Sequence, residues 1–110
     1  MHDFTVIMTW EALYDISDIA DYIEEMFGKH RADLFEEDIY NEIADLGDVG
    51  LGYSKTDILY RGNHIYKKPV SPSVIFYVQK DKEIHVLRVL REERNWHRIL
   101  NQSQKYTYPE

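Results

Sequence analysis

The segment EIHVLRVLREERNWHRIL, residues 83–100, carries the strongest structural signal in the chain. Its first half is apolar and partly β-branched, which favours a buried strand. Four arginines follow at short spacing around Trp96: Arg88, Arg91, Arg94 and Arg98. Guanidinium groups at the end of a rigid strand suit an anionic or planar partner. The alternative is one structural arginine paired with an acid, followed by a solvated helix face.

The sequence before this segment predicts a strand followed by two helices. Residues 4–8 are mainly apolar and predict a short first strand. Thr9 is suited to cap a helix whose apolar residues recur at helical spacing, and Gly28 is suited to end it. A second helix is predicted over 30–46, where the same spacing continues until Gly47, Gly50 and Gly52 interrupt it. Two helices joined by one glycine-containing turn form an antiparallel hairpin.

The second half of the chain is rich in β-forming residues. In order, it predicts a strand over 58–66, a basic turn over 67–72, a strand over 73–79, a polar turn over 80–83, a strand over 84–90 and a helix over 93–101. We therefore predict one α+β domain over 1–110. In this domain an N-terminal strand precedes an antiparallel helical hairpin, which packs on one face of a mainly antiparallel four-stranded sheet, and a short C-terminal helix follows. The other face of the sheet is expected to be partly open. The tail 102–110 is expected to be frayed or partner-dependent.

Composition excludes several classes of protein and site. The 110 residues contain no cysteine, so a disulfide framework and a Cys-based zinc site are both excluded. The five histidines lack the spacing of a metal site, and no glycine-rich phosphate loop is present, so we predict neither metal nor cofactor. No apolar run approaches the ~20 residues that span a bilayer, and the start MHDFTVIMTW is not a signal peptide. These features predict a cytoplasmic protein without a membrane partner.

Charge is distributed unevenly along the chain. Residues 1–50 carry 14 acidic and 2 basic side chains, whereas residues 51–110 carry 6 acidic and 11 basic ones, and the net charge is −7. An acidic protein is a poor candidate for a general nucleic-acid binder. The asymmetry nevertheless allows a local basic surface on an acidic body. The alternative for the acidic half is that it forms the solvated faces of the helices.

These pieces, in this order, resemble the RelE/ParE superfamily of bacterial type II toxin–antitoxin toxins. The matching segments are Asp15-Ile16-x-x-Ile19-x-x-Tyr22-Ile23 in the first helix, Tyr60-Arg61, Ile75-Phe76-Tyr77, and Val86-Leu87-Arg88-Val89-Leu90 running into Arg94-Asn95-Trp96. The last group is similar to the family's "RVL…RDW…L" ending, with Asn95 where aspartate is common. The resemblance implies a small toxin that a cognate antitoxin holds inactive.

The resemblance implies one of two cellular targets. RelE-like members cut mRNA in the ribosomal A site, whereas ParE-like members poison DNA gyrase without known cleavage chemistry. The catalytic arginine of the RelE-like third strand falls near Val74 here, and the late tyrosine falls near Arg98. An acidic body also suits the polyanionic ribosome poorly. We therefore predict gyrase as the target, with growth inhibition and plasmid stabilisation as consequences. The alternatives are a ribosome-dependent mRNA endonuclease and a non-toxic binding module that kept the fold.

Candidate site residues follow from the same resemblance. If the chain cleaves RNA, the predicted catalytic residues are Arg61, Arg91 and Arg94, because cations must stabilise the phosphorane. The predicted target- or antitoxin-binding residues are His64, Lys67, Lys68, Tyr77, Arg88, Trp96 and Arg98. Three of these have structural alternatives: Arg88 paired with an acid of the first helices, and Trp96 and Tyr77 as core residues. Whether the chain forms a homodimer is left open.

Overall fold

The computed structural model describes residues 3–49 and 52–110. Its elements are β1 (Thr5–Met8), α1 (Trp10–Phe27), α2 (Lys29–Val49), β2 (Ser54–Tyr60), β3 (Asn63–Val70), β4 (Ser73–Lys80), β5 (Glu83–Arg91) and α3 (Trp96–Gln102). The strands form one sheet in the order β1-β5-β4-β3-β2. All neighbours in it are antiparallel except β1, which lies parallel to β5. The predicted α+β class, helical hairpin and short C-terminal helix are confirmed.

The sheet has five strands, so the prediction of four was wrong. The predicted strand over 58–66 contains a tight turn at Arg61 and Gly62, whose φ angles are 51° and 84°. The basic segment from Lys67 to Val70, predicted as a turn, completes β3 instead. The turn escaped prediction because Asn, Asp or Gly usually occupies the first position of such a hairpin, and here it is an arginine.

Both ends of α1 are capped as the sequence predicts. The hydroxyl of Thr9 accepts a hydrogen bond from the backbone N–H of Ala12 at 2.9 Å and donates one to the carbonyl of Leu87 at 2.7 Å. At the other end, Gly28 has a φ of 95° and donates its N–H to the carbonyl of Glu24. Thr9 therefore joins the start of α1 to β5, because it caps the helix and contacts the strand at once.

The second helix is longer than predicted, because Gly47 does not end it. Gly47 lies inside α2, and its carbonyl accepts hydrogen bonds of 3.0 Å from the backbone N–H groups of Asp3 and Phe4. Glycine weakens a helix interior by roughly 0.5–1 kcal/mol, and these contacts with the N-terminal segment help to offset that loss. Gly50 lies outside the described residues. Of the helices in residues 3–49 and 52–110, none has the length and apolar character needed to cross a bilayer.

The edge strand β2 is bulged in its middle. Its pairing with β3 shifts between Lys55 and Leu59, so that residues 56–58 face the single residue Ile65. The hydroxyl of Thr56 partly replaces the interrupted ladder, because it donates to the carbonyl of Ile65 at 2.7 Å and accepts from the N–H of Ile58 at 3.2 Å. The outer edge of the sheet is therefore irregular at this strand.

Both faces of the sheet are covered. The helical hairpin packs on one face, where residues such as Ile16 and Ile39 meet Ile75 and Val86. We call the apolar group on the opposite face the back-face cluster: Ile58, Tyr60, Ile65, Phe76, Val78, Leu87, Leu90, Leu100 and Tyr106. Leu100 belongs to α3 and Tyr106 to the C-terminal tail. This corrects the expectation of a partly open face.

The C-terminal tail returns to the start of α1. Thr107 donates its backbone N–H and its hydroxyl to the carboxylate of Glu11, at 2.8 and 2.6 Å. The carbonyl of Thr107 accepts from the backbone N–H of Trp10 at 2.8 Å. Tyr108 adds a hydrogen bond of 2.8 Å between its hydroxyl and Nδ1 of His85. In place of the frayed or partner-dependent tail predicted from the sequence, the structure shows residues 106–108 packed on the fold.

Candidate functional site

The three candidate catalytic arginines do not lie together. Arg61 occupies the β2–β3 turn and borders a cavity together with Lys80, the last residue of β4. Arg91 is paired with Ser73, the first residue of β4. A strand of this length spans roughly 23–26 Å at about 3.3 Å per residue. Arg61 and Arg91 therefore lie at opposite ends of the sheet and cannot contact the same phosphate.

Arg91 and Arg94 lie near each other at the end of β5. The guanidinium of Arg91 forms an ion pair with Glu93 and lies over the ring of Tyr22 on α1, 4.0 Å from its centroid. Arg94 is exposed, and its backbone N–H donates to the carbonyl of Arg91 at 3.0 Å. Both arginines border a depression of about 130 Å³ that also contains carboxylates of α1. This end of β5 thus offers a mixed-charge surface beside an aromatic ring.

Arg88 is a structural residue, as its alternative interpretation predicted. Its Nε and Nη2 atoms donate to the two oxygens of Asp15 on α1, at 2.6 and 2.8 Å, and Nη1 donates to the hydroxyl of Ser103 at 3.3 Å. The hydrogen bonds with Asp15 raise the pKa of the guanidinium. Burial raises the pKa of the Asp15 carboxyl, although Arg88 opposes that shift. With both groups engaged, Arg88 ties β5 to α1 and to the segment after α3.

Two predicted contact residues, Lys68 and Tyr77, are buried. The side chain of Lys68 is only 3% exposed, and its ammonium group contacts the carboxylate of Glu42 at 2.8 Å and the carbonyl of the same residue at 2.7 Å. Tyr77 is fully buried beside the ring of Tyr66, and burial raises the pKa of its hydroxyl. Neither side chain offers surface to a partner, so their predicted binding roles are corrected here. Tyr77 is a core residue, as its alternative interpretation predicted.

The remaining predicted contact residues differ in exposure. Trp96 is half-buried and packs on Phe76, with 5.4 Å between ring centroids, so it anchors α3 to the back-face cluster. The ammonium group of Lys67 lies 5.0 Å from the centroid of the Trp96 ring. His64 is exposed, and its Nδ1 lies 3.0 Å from a backbone carbonyl of β2. Arg98 is also exposed, on α3. His64 and Arg98 are therefore exposed polar side chains, whereas Lys67 lies against Trp96.

The sequence did not reveal a concave surface of the described residues, which we call the hairpin groove. It has a volume of about 590 Å³ and lies between the helical hairpin and the β3–β4 turn. Its border includes the exposed apolar residues Tyr22, Phe27 and Leu34. Arg31 lies over the ring of Phe27 at 5.2 Å, as Arg91 does over Tyr22. The available signal was the apolar residues that lie off the core stripe of each helix.

Comparisons with known proteins place the chain within one family. The profile of the family described as "ParE toxin of type II toxin-antitoxin system, parDE" matches residues 6–96. Comparison with curated proteins gives no significant match. Among solved structures, the chain is similar to one described as "Chromosomal ParDE TA system from P. aeruginosa", with a TM-score of 0.70 and 23% sequence identity. That similarity covers 84% of this chain and 100% of the other. At this identity it supports the shared fold.

Proposed function

Because the chain belongs to the ParE toxin family of type II toxin–antitoxin systems, we propose that a cognate antitoxin neutralises it and that its cellular target is DNA gyrase. The observation that carries the choice of target is the separation of Arg61 from Arg91 along β4. Cleavage of RNA requires several charged groups around one phosphorane. A protein poison requires an interaction surface and no such arrangement.

The position of Val74 supports the same choice. A RelE-like nuclease would carry an arginine near this position, but Val74 packs against the apolar back-face cluster. An arginine would need partners there, because an unpaired charge against apolar side chains is costly. The net charge of −7 further opposes approach to the ribosome, which is itself a polyanion.

The hairpin groove is the proposed binding surface for the antitoxin. Its exposed aromatic and aliphatic side chains fit the apolar face of an amphipathic helix, which is a common mode of segment recognition. Arg31 and Arg91 lie at its aromatic rings; Arg31 can meet acidic residues of that helix, whereas Arg91 is already paired with Glu93. A contact of this composition has an apolar centre and a charged rim, as stable interfaces usually do.

Substitutions at two leucines test the proposed antitoxin-binding surface. Leu34 borders the hairpin groove and is 43% exposed, whereas Leu59 lies on the edge strand β2 and is 48% exposed. Leu34→Glu is expected to weaken antitoxin binding at least about tenfold, because it places a charge in the apolar contact. Leu59→Glu is the matched control and should retain binding in a co-purification or calorimetric assay. Equal effects of the two variants would place the antitoxin elsewhere.

The proposed target can be tested with the purified protein and with cells. Supercoiling by DNA gyrase is expected to fall as the protein is added, and the antitoxin should reverse the effect. Primer extension on mRNA from cells expressing the protein should show no new ends. New mRNA ends with unaffected gyrase would instead favour the ribosome-dependent endonuclease. Normal growth with neither effect would favour a non-toxic binding module.

A further inference from the structure

A second cavity lies at the end of the sheet opposite to Arg91. Its volume is about 360 Å³, and its border includes three tyrosines and three basic side chains: Tyr60, Tyr106, Tyr108, Arg61, Lys80 and His85. Among the described residues no aspartate or glutamate borders it, although the whole chain carries 20 of them. No carboxylate forms the border itself, although Glu83 lies behind it at 2.9 Å from His85, and such a border in an acidic protein favours a negatively charged occupant.

The aromatic side of the cavity consists of rings that pack against one another. Tyr60 and Tyr106 meet edge to face, with 5.0 Å between their ring centroids. Tyr108 packs in the same manner against the imidazole of His85 at 5.3 Å. Tyr106 is buried, and its hydroxyl has no hydrogen-bond partner within residues 3–49 and 52–110. Packed rings of this kind offer edges, and Tyr108 offers a partly exposed ring, against which a planar ring can pack.

The polar side of the cavity consists of groups with defined positions. His85 lies between two partners, with Nε2 at 2.9 Å from the carboxylate of Glu83 and Nδ1 at 2.8 Å from the hydroxyl of Tyr108. Burial raises the pKa of Tyr108, so its hydroxyl stays protonated at neutral pH. The guanidinium of Arg61 lies over the ring of Tyr60 at 5.4 Å, and Lys80 is exposed at the end of β4. Two such cations suit a phosphate group.

The backbone at Arg61 is unfavourable for an arginine. Its φ of 51° lies in the left-handed region, which costs an ordinary side chain roughly 1–2 kcal/mol. Asn or Gly would form this hairpin turn more readily. A residue kept in such a conformation is a recognised mark of functional positions. The arginine side chain at the mouth of the cavity is therefore the feature that needs a functional explanation.

We propose that this cavity binds a small anion that carries a planar ring, with a nucleoside monophosphate as the simplest example. Arg61 and Lys80 hold the phosphate, and the ring packs against the tyrosines. The volume of about 360 Å³ falls at the lower end of small-molecule sites, about 300–1,000 Å³. The cavity shares no bordering residue with the hairpin groove, so this proposal is independent of the proposed antitoxin site.

Titration of the full chain with three related probes tests the ligand class. Uridine monophosphate is expected to bind saturably in calorimetry, whereas uridine and inorganic phosphate should each bind at least about tenfold more weakly. This order is expected because each of the weaker probes lacks one of the two recognised groups. Equal binding of phosphate and uridine monophosphate would reduce the site to a simple anion site and overturn the proposal. Absence of saturable binding up to about 10 mM would also overturn it.

Variants at the cavity mouth complete the test. Lys80→Gln is expected to weaken binding of uridine monophosphate at least about fivefold, whereas Lys82→Gln, an exposed lysine outside the cavity border, should change it less than about twofold. Arg61→Asn should weaken binding and raise the melting temperature, because it relieves the strained turn. Undiminished binding by Arg61→Asn, or equal losses in the two lysine variants, would overturn the proposal.

Discussion

Asp15 joins the first helix to the arginine-bearing strand through three hydrogen bonds. Two come from the guanidinium of Arg88 and the third, of 3.0 Å, comes from the backbone N–H of Val89. The pair is largely removed from solvent, with side-chain exposures of 18% for Arg88 and 12% for Asp15. In such a place the loss of one partner costs more than the intact pair contributes, because the other charge is left uncompensated.

Asp15→Ala is therefore expected to lower the free energy of unfolding by about 2–4 kcal/mol, measured by urea denaturation. Asp18→Ala is the matched control, because Asp18 is exposed on the same helix and its loss should cost no more than about 0.5 kcal/mol. The double variant Asp15→Leu/Arg88→Met should recover part of the loss. Similar stabilities for Asp15→Ala and Asp18→Ala would contradict a structural role for the pair.

Thr9 offers a second test at this scale, since one buried hydroxyl serves both α1 and β5. Thr9→Ala is expected to cost about 1–2 kcal/mol of unfolding free energy, because it removes the helix cap and leaves the carbonyl of Leu87 without this donor. Thr9→Ser keeps both hydrogen bonds and should retain most of the stability in thermal denaturation. Equal losses in the two variants would attribute the effect to packing of the methyl group.

Single residues also show how far the sequence could predict the candidate site. The sequence could predict that Arg88 pairs with an acidic residue, because an arginine in the middle of a strand must be either paired or exposed. The burial of Lys68 was not predictable, since its partner Glu42 comes from α2, 26 positions earlier in the chain. The separation of Arg61 from Arg91 required the number and register of the strands, and the prediction lacked one strand.

At the scale of elements, the tail over 103–110 acts as a strap between α3 and α1. Thr107 makes three hydrogen bonds at the start of α1, and Tyr106 fills part of the back-face cluster. Burial raises the pKa of the Glu11 carboxyl, but the hydrogen bonds donated by Thr107 outweigh it, and the pKa lies below its ordinary value. The strap is thereby coupled to the ionisation of one carboxylate.

The sign of that shift predicts an acid-sensitive strap. A carboxyl whose pKa is lowered by folding contributes stability that is present above its ordinary pKa of 4.5 and is lost as the pH falls through the lowered value. The amide resonance of Thr107 should therefore move toward its unstructured position below about pH 4.5 in NMR spectra. Glu11→Gln should abolish this titration, whereas Glu25→Gln, exposed on the same helix, should preserve it. A titration that persists in Glu11→Gln would contradict the assignment.

The bounds of some helices and strands were predicted better than those of others, and the reasons are physical. The course of α1 followed from apolar spacing and from two caps whose chemistry is local, Thr9 and Gly28. The end of α2 did not follow from the local sequence. Gly47 is stabilised inside the helix by contacts with the N-terminal segment, and a local pattern does not contain those contacts. The apolar run at 58–66 concealed the β2–β3 turn, since both strands contribute aromatic and β-forming residues there.

At the scale of the whole molecule, the two concave surfaces involve different parts of the fold. The hairpin groove combines exposed apolar side chains with Arg31 and Arg91, whereas the second cavity combines tyrosines with Arg61 and Lys80. The excess of acidic residues in the first half of the chain is carried largely by exposed positions of α1 and α2. The acidic body of the protein therefore repels other anions, while the basic side chains at these two concave surfaces attract anions locally.

The composition of the hairpin groove predicts the salt response of the proposed antitoxin complex. Apolar contacts are not screened by ions, and the few charges at the rim contribute modestly. The dissociation constant is therefore expected to change less than about tenfold between about 0.05 and 0.5 M salt. Isothermal titration across that range measures it directly. A change of several orders of magnitude, as in phosphate-dominated nucleic-acid binding, would show that charge pairs dominate the interface.

The bulge in β2 has a consequence for how many copies of the chain behave together. A straight edge strand presents a regular row of unpaired N–H and C=O groups, with which strands of other molecules can pair and so form aggregates. Here residues 56–58 interrupt that row, and the exposed charges of Lys55 and Asp57 stand beside the interruption. Free chains should therefore resist association through this edge, so that their dissolved concentration follows the rate of synthesis and not a solubility limit set by such pairing.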